Sequence, residues 1–191
     1  MIYTTFVIIY FNEFDKIPNS TYSFLYSLLP TSRKQKVDSL FFEKDKHIKI
    51  VEYFLVKKLL KLKLNPDFLY TNGGKPYIDG EKNFNISHSD NMLVVATAKN
   101  EVGVDVQQIV DFNPKLARYV LNDGELARVL KSKNKNLEFT RLWAKKESYI
   151  KCNGLTIFND LKNVLTNLDR FRFKFDYVDN FVICVCTKKN L

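Results

Sequence analysis

The amino-acid sequence predicts an α+β fold made of two similar halves. Residues 1–98 and 99–191 show the same order of elements: a strand, then helices that end in a long one, then two strands. The likeness is one of layout, since no residue-level repeat is visible. The interface between such halves is the natural place for a ligand cleft. A chain of 191 residues is long enough to bury a core of this kind.

The elements of the first half follow from residue type and spacing. β-Branched and aromatic residues at 2–11 favour a buried strand. Apolar residues about one helical turn apart, from Ile48 to Leu62, favour a helix. Two glycines that supply positive φ, followed by Pro76, favour a turn. The predicted elements are a strand at 2–11, helices at 20–29 and 31–64 with a break near Phe41, a turn at 72–76, and strands at 83–87 and 93–98.

The second half begins with a strand in which polar and apolar residues alternate. From Val102 to Gln107 every second residue is valine, so the valines share one face and Asp105 lies on the other with Gln107. Aromatic and charged residues alternate at 170–177, which favours rings packed on the core over rings exposed to nucleic acid. The remaining predicted elements are helices at 114–121, 123–130 and 137–151 and a strand at 181–186.

Composition narrows the class of protein. The formal net charge of +9 indicates an acidic partner: nucleic acid, an anionic membrane, a phosphorylated ligand or an acidic protein. Three cysteines, an odd number, suit a reduced intracellular protein, and two histidines without a Cys-x-x-C pair argue against structural zinc. The apolar run from Phe6 to Phe11 is too short to span a bilayer. We therefore expect a cytoplasmic protein without a membrane partner.

The predicted helix that ends near Lys151 carries charged residues beside its apolar stripe. Glu147 and Lys151 lie one turn apart, so both side chains can reach one point in a cleft. They could hold a metal and a phosphate together, or form a salt bridge on a solvated face. Lys146 falls within the apolar stripe, where a leucine would be expected.

Asp105 and Gln107 offer two oxygen atoms on one face of their strand. Together with Glu147 they could form an oxygen-rich site that suits Mg²⁺, which prefers one or two carboxylates plus water and substrate phosphate. The alternative for Asp105 is an exposed strand carboxylate. Its valine neighbours and the preceding glycine favour a functional role.

Three further segments could contact an anion. The turn at 73–76 combines backbone N–H groups with an ammonium, although it lacks the Walker P-loop pattern and could be only a turn. His88 follows a buried strand directly. Arg33 and Lys36 lie near a helix start, which suits a phosphate, while a solvated basic face is the alternative.

Four motifs, taken together, resemble those of the Sfp-type 4′-phosphopantetheinyl transferases. They are Gly74-Lys75-Pro76, Asn85-Ile-Ser-His-Ser89, Val102-Gly-Val-Asp-Val-Gln107 and Trp143-Ala-Lys-Lys-Glu-Ser-Tyr-Ile-Lys151. They follow one another in this order between residues 74 and 151. The resemblance implies a pseudo-dimer of two α+β halves with coenzyme A bound between them. It also implies transfer of phosphopantetheine to a serine of an apo acyl or peptidyl carrier protein, with release of adenosine 3′,5′-bisphosphate.

The resemblance also implies roles for individual residues. Asp105 and Glu147 would bind Mg²⁺, with Gln107 completing the set. Glu147, directly or through a metal-bound water, would be the base for the serine proton, and Lys151 would neutralise or protonate the departing bisphosphate. The residues expected to contact coenzyme A are Arg33, Lys36, Lys49, Gly74, Lys75, Pro76, Ser87, His88 and Lys146.

Two departures from the family pattern keep alternatives open. Many members have a second acid where this chain has Gln107, and the stretch after Lys151 is shorter here than is usual in the family. A coenzyme A-binding homologue with weak or no transfer activity is one alternative, and a basic nucleic-acid-binding protein is another. For the transferase we expect a monomer, because an internally duplicated cleft needs no second chain, and no nucleic-acid partner.

Overall fold

The computed structural model describes residues 6–155 and 161–189. The strands are β1 (Phe6–Phe11), β2 (Leu69–Tyr70), β3 (Pro76–Tyr77), β4 (Asn83–Ser89), β5 (Met92–Ala98), β6 (Val102–Gln108), β7 (Phe171–Val178) and β8 (Phe181–Lys188). The α-helices are α1 (Asn19–Ser27), α2 (Thr31–Asp38), α3 (Glu43–Leu60), α4 (Pro114–Val120), α5 (Asp123–Lys131) and α6 (Lys135–Asn153). Single 3₁₀ turns cover Phe14–Lys16, Leu161–Asn163 and Leu168–Arg170.

The strands form two three-stranded antiparallel sheets and one short ribbon. The first sheet has the order β1-β5-β4, the second has the order β6-β8-β7, and β2 pairs with β3. In each of these two sheets, the strand that comes last in the chain lies in the middle: β5 lies between β1 and β4, and β8 lies between β6 and β7. β4 and β6 are therefore edge strands of their sheets.

The two sheets are sandwiched between helices. α3 packs on the outer face of the first sheet, where Val56 of α3 and Leu93 of β5 belong to one apolar cluster. The inner faces of the two sheets pack on each other, where Val94 of β5 and Val104 of β6 belong to one apolar cluster. α6 covers the outer face of the second sheet around Cys184. Within residues 6–155 and 161–189, no helix has the length and apolar content that crossing a membrane requires.

The predicted elements are confirmed with small changes of boundary. The helical region at 31–64 is broken near Phe41, as expected, into α2 and α3. Residues 1–5, which include the start of the first predicted strand, lie outside the described residues. The three phenylalanines of β7 do face the core, since Phe171, Phe173 and Phe175 pack in apolar clusters beneath α6. Tyr177 is 49% exposed, so the prediction is wrong at the end of the strand. The ribbon of β2 and β3 was not predicted, because each strand has only two residues.

Side chains of β4 join the two sheets by accepting hydrogen bonds from the backbone of β6. The N–H of Val104 donates to Asn85 Oδ1 at 2.8 Å, and the N–H of Val106 donates to Ser87 Oγ at 3.2 Å. A third bond runs from the N–H of Gln108 to Ser89 Oγ at 3.3 Å. A buried backbone N–H must find an acceptor. We call these three bonds the side-chain ladder.

Gly103 allows α6 to lie directly against β6. A Cβ atom at this position would lie 2.1 Å from the Ser148 carbonyl oxygen and 2.3 Å from the Cys152 backbone nitrogen. Both of those atoms belong to the α6 backbone, so neither can turn aside as the end of a flexible side chain would. The contact therefore fixes the height of α6 above the strand that carries Asp105.

We predict that Gly103→Ala destabilises the fold by about 3 kcal/mol or more, because the helix must shift to admit the methyl group. Urea unfolding of the purified variant measures this. Gly124→Ala is the control, since the nearest atom to its Cβ would be Asn122 Oδ1 at 3.5 Å, an ordinary contact. A Gly103→Ala variant as stable as the Gly124→Ala variant would contradict the close approach.

Candidate active site

Asp105 is the centre of a buried polar cluster at the junction of the two sheets. Its Oδ1 accepts a hydrogen bond from Ser87 Oγ at 3.0 Å and pairs with Lys151 Nζ at 2.6 Å. Its Oδ2 accepts a hydrogen bond from Gln107 Nε2 at 2.9 Å. Lys151 Nζ also donates to Ser87 Oγ at 3.0 Å. Only 2% of Asp105 is exposed, so these contacts replace water almost completely.

Glu147 lies one helical turn before Lys151 on α6 and is 7% exposed. No hydrogen bond or ion pair involves its carboxylate among residues 6–155 and 161–189. Burial raises the pKa of Glu147, the negative charge of Asp105 raises it further, and the Lys151 ammonium partly offsets both. The charge of Asp105 therefore acts on the Glu147 carboxyl group across the cluster.

The donor set fits a magnesium ion. Asp105 and Glu147 supply two carboxylates. The Gln107 amide nitrogen donates to Asp105 Oδ2, so the amide would have to turn for its oxygen to join them. Such a set leaves coordination positions for water and phosphate, which Mg²⁺ usually retains. A cluster of three or more His, Cys, Asp or Glu residues with metal-binding geometry does not occur in the described part of the chain.

Two connected pockets open beside this cluster. One has a volume of about 490 Å³, and its lining includes Lys75, Asn85 and Lys151. The other has a volume of about 290 Å³, and its lining includes Arg33, Lys36, Lys49 and His88. Both are lined by Gly74, Pro76 and Ile86, so they form one continuous cleft. Eight of the residues predicted to bind coenzyme A or act in catalysis therefore line a single cleft.

The basic end of this cleft rests on a buried ion pair. The Arg33 guanidinium donates to Glu52 Oε1 at 3.0 Å and to Tyr70 Oη at 2.9 Å. Lys49 also pairs with Glu52. Desolvation, followed by the nearby Lys49 ammonium, lowers the pKa of His88, so its imidazole is neutral near pH 7. The cleft therefore has cationic side chains at this end and one buried carboxylate that orders two of them.

The loop before β3 is held in place by its turn geometry and by the close contact of Gly73 with the backbone of Gly154. Gly74 has φ of +78°, as the sequence predicted for the turn. Gly73 does not have positive φ; a Cβ there would lie 2.1 Å from the Gly154 carbonyl oxygen. The Lys75 ammonium donates to the Val102 carbonyl at 2.8 Å, so it ties the loop to β6. Lys75 lines the cleft, but its ammonium is already engaged by backbone oxygen.

Lys146 does not belong to the cluster. Its side chain is fully buried, and its Nζ contacts Glu125 Oε2 at 2.7 Å and the Leu161 and Lys162 carbonyls at 2.7 and 2.8 Å. The expectation that Lys146 contacts coenzyme A therefore needs correction, because its ammonium is buried among protein oxygens. This explains why a lysine stands in the apolar stripe of α6: the ammonium is satisfied inside the fold.

Sequence reasoning missed three residues that shape the site. Asn85 and Ser89 belong to one of the four family-like motifs, but their bonds to the β6 backbone were not foreseen. The signal was present, because polar side chains recur at every second position of that strand. Glu52 gave no signal, since a glutamate on a lysine-rich helix is usually a surface residue.

Comparison with known proteins finds a family model similar to the second half of this chain. Residues 101–186 match the family model described as the 4′-phosphopantetheinyl transferase superfamily. This range holds β6 and α6 and therefore Asp105, Glu147 and Lys151. The matched segment is thus the one that carries both carboxylates of the cluster.

Two similar proteins carry the name of this enzyme family. The chain is 33% identical over 153 residues to the 4′-phosphopantetheinyl transferase gsp of Aneurinibacillus migulanus, covering 74% of this chain and 64% of that protein. It is 26% identical over 137 residues to the 4′-phosphopantetheinyl transferase Sfp of Bacillus subtilis strain 168, covering 67% and 61%. Along these stretches the chain is similar to Sfp-type 4′-phosphopantetheinyl transferases, and it spans less than two thirds of the length of these relatives.

We predict that Glu147→Gln stabilises the protein at pH 7 by about 1 kcal/mol in the presence of a chelator, because it removes a buried charge that repels Asp105. When the pKa of a carboxyl group is higher in the folded protein than in the unfolded chain, the protein loses stability as the pH rises from the unfolded-state pKa to the folded-state pKa. The difference between the variant and the parent should therefore shrink as pH falls to about 4, where glutamate becomes protonated. Urea unfolding at several pH values measures it. A variant less stable than the parent at pH 7 would contradict the raised pKa.

Proposed function

We propose that this chain transfers the 4′-phosphopantetheine group of coenzyme A to a serine of an apo carrier protein, with release of adenosine 3′,5′-bisphosphate. The observation that carries the proposal is the cluster of Asp105, Glu147 and Lys151 beside a cleft with cations at its far end. Two carboxylates and an ammonium suit a metal and a pyrophosphate, and the cationic end suits a further phosphate. Curated relatives named as 4′-phosphopantetheinyl transferases support the same reaction.

Coenzyme A would lie along the continuous cleft. Lys36, Lys49 and His88 would contact its phosphate groups at the basic end, where the Glu52 carboxylate holds Arg33 and Lys49 in place. The backbone at 74–76 would contact the nucleotide between the two pockets. Ser87 would act chiefly through Asp105 and Lys151, because its hydroxyl is hydrogen-bonded to both of these side chains.

The two halves, 1–98 and 99–191, are proposed to be copies of one unit. The equal strand orders of the two larger sheets support this, as does the long helix that covers each sheet. The cleft then lies between the copies, as the resemblance implies. The monomeric state and the cytoplasmic location stay predictions.

In the proposed mechanism, positioning and charge neutralisation carry most of the catalysis. Asp105, Glu147 and the Gln107 amide oxygen would hold Mg²⁺, which when bound would neutralise charge on the pyrophosphate. Glu147 suits the role of base for the serine hydroxyl, because its buried carboxylate has no hydrogen-bond or ion-pair partner among residues 6–155 and 161–189. Lys151 would stabilise the departing bisphosphate, and burial of the cluster keeps water from competing.

The transfer assay tests the proposal. The protein is mixed with coenzyme A, Mg²⁺ and each of several apo carrier proteins, and the carrier mass is measured. We expect a mass gain of one phosphopantetheine on at least one carrier. Asp105→Asn and Glu147→Gln should each lower the rate by about 10²–10³.

Glu81→Gln is the matched control, because Glu81 is exposed and lies outside the cleft. This variant should transfer at the parent rate. If no carrier gains mass while coenzyme A still binds, the protein is a coenzyme A-binding homologue without transfer. If Glu147→Gln transfers as fast as Glu81→Gln, the proposed role of Glu147 fails.

A further inference from the structure

Lys151 and a divalent cation would need the same carboxylate. The ammonium is 2.6 Å from Asp105 Oδ1, and Asp105 is nearly fully buried. An ion held by Asp105 and Glu147 would therefore lie close to an ammonium that already neutralises one of its ligands. Two cations in one desolvated pocket repel each other strongly, because little water is present to screen them.

The orientation of Asp105 does not depend on the ammonium. Ser87 Oγ donates to Oδ1 at 3.0 Å, and Gln107 Nε2 donates to Oδ2 at 2.9 Å. Ser87 is itself held by the N–H of Val106 through the side-chain ladder. If the ammonium moved away, these two hydrogen bonds would still hold the carboxylate in place, and it would still carry its charge.

Lys151 is also free to move toward an anion. Its side chain is 25% exposed, whereas that of Asp105 is 2% exposed. It lines the larger pocket with Gly74 and Pro76, on the side where the cleft continues to the basic end. A flexible four-carbon stem allows the ammonium to turn while α6 stays in place.

We infer that Lys151 is a built-in counter-ion whose pair with Asp105 competes with divalent-metal binding, and that a pyrophosphate-bearing ligand relieves the competition by drawing the ammonium to itself. Metal and nucleotide then bind with positive coupling, and the metal site is complete only when the nucleotide is present. This inference rests on the proposed function, since it takes the cleft to bind coenzyme A.

Binding of Mn²⁺, followed by electron paramagnetic resonance of the free ion, tests the competition without reference to turnover. We expect weak binding to the parent protein and binding about tenfold tighter when coenzyme A is added. Lys151→Met should bind Mn²⁺ about tenfold more tightly than the parent without coenzyme A, and coenzyme A should add little.

Two variants separate charge at the site from other effects. Lys151→Arg keeps the positive charge and should bind Mn²⁺ as weakly as the parent. Lys145→Met removes a charge from the same helix, but its ammonium lies over the Phe173 ring, away from Asp105. It should change Mn²⁺ affinity by no more than about twofold, because distant charges are screened.

Equal Mn²⁺ affinity in the parent and Lys151→Met without coenzyme A would overturn the inference and leave the pair as a structural salt bridge. If Lys151→Met does not fold, the Mn²⁺ affinity of the parent protein with and without coenzyme A tests the inference. An affinity that coenzyme A leaves unchanged would contradict the coupling. Failure of the proposed function has another signature: no carrier is modified, while Mn²⁺ and coenzyme A still bind with positive coupling.

Discussion

Three hydrogen bonds from the backbone of β6 to side chains of β4 join the two sheets, and the position of the site depends on them. A neighbouring strand would normally satisfy these N–H groups with its carbonyls. Here side chains accept them, and one of these acceptors also contacts the site, because Ser87 Oγ takes the N–H of Val106 and donates to Asp105. Ser87 Oγ therefore takes part both in a hydrogen bond that joins the two sheets and in the hydrogen bond that orients the Asp105 carboxylate. Gly103 completes the arrangement by letting α6 lie close enough for Lys151 to reach the same point.

Three consecutive charged residues of α6 show how a helix divides structural and functional roles. Successive side chains project about 100° apart around a helix. Lys145 accordingly lies over the Phe173 ring, Lys146 is buried against Glu125 and two carbonyls, and Glu147 faces Asp105. The ion pair of Lys146 is fully satisfied and stabilises the packing of α5 on α6. Glu147 has no such partner among the described residues. The repulsion between its charge and that of Asp105 is unfavourable for folding, and such repulsion is typical of ligand sites.

Much of the fold could be read from the sequence because its signals are local. The valine alternation from Val102 gave β6, and the break near Phe41 divided the helical region at 31–64. The convergence of Asp105 and Glu147 was also foreseen, since each side chain has a defined face on its element. The direction of a long side chain was not foreseen. Lys75 and Lys146 lie where the motifs place them, but their ammonium groups turn to backbone oxygen, which depends on tertiary neighbours that periodicity does not encode.

Amide hydrogen exchange of β6 tests the side-chain ladder most directly. Val104 and Val106 donate to side chains of β4 on the side of β6 that has no partner strand. The ladder predicts that both amides exchange as slowly as those of the central strands, and that Asn85→Ala selectively speeds exchange at Val104. Fast exchange at both amides in the parent, or an Asn85→Ala variant with unchanged protection at Val104, would contradict the claim that these bonds hold the sheets and the site together.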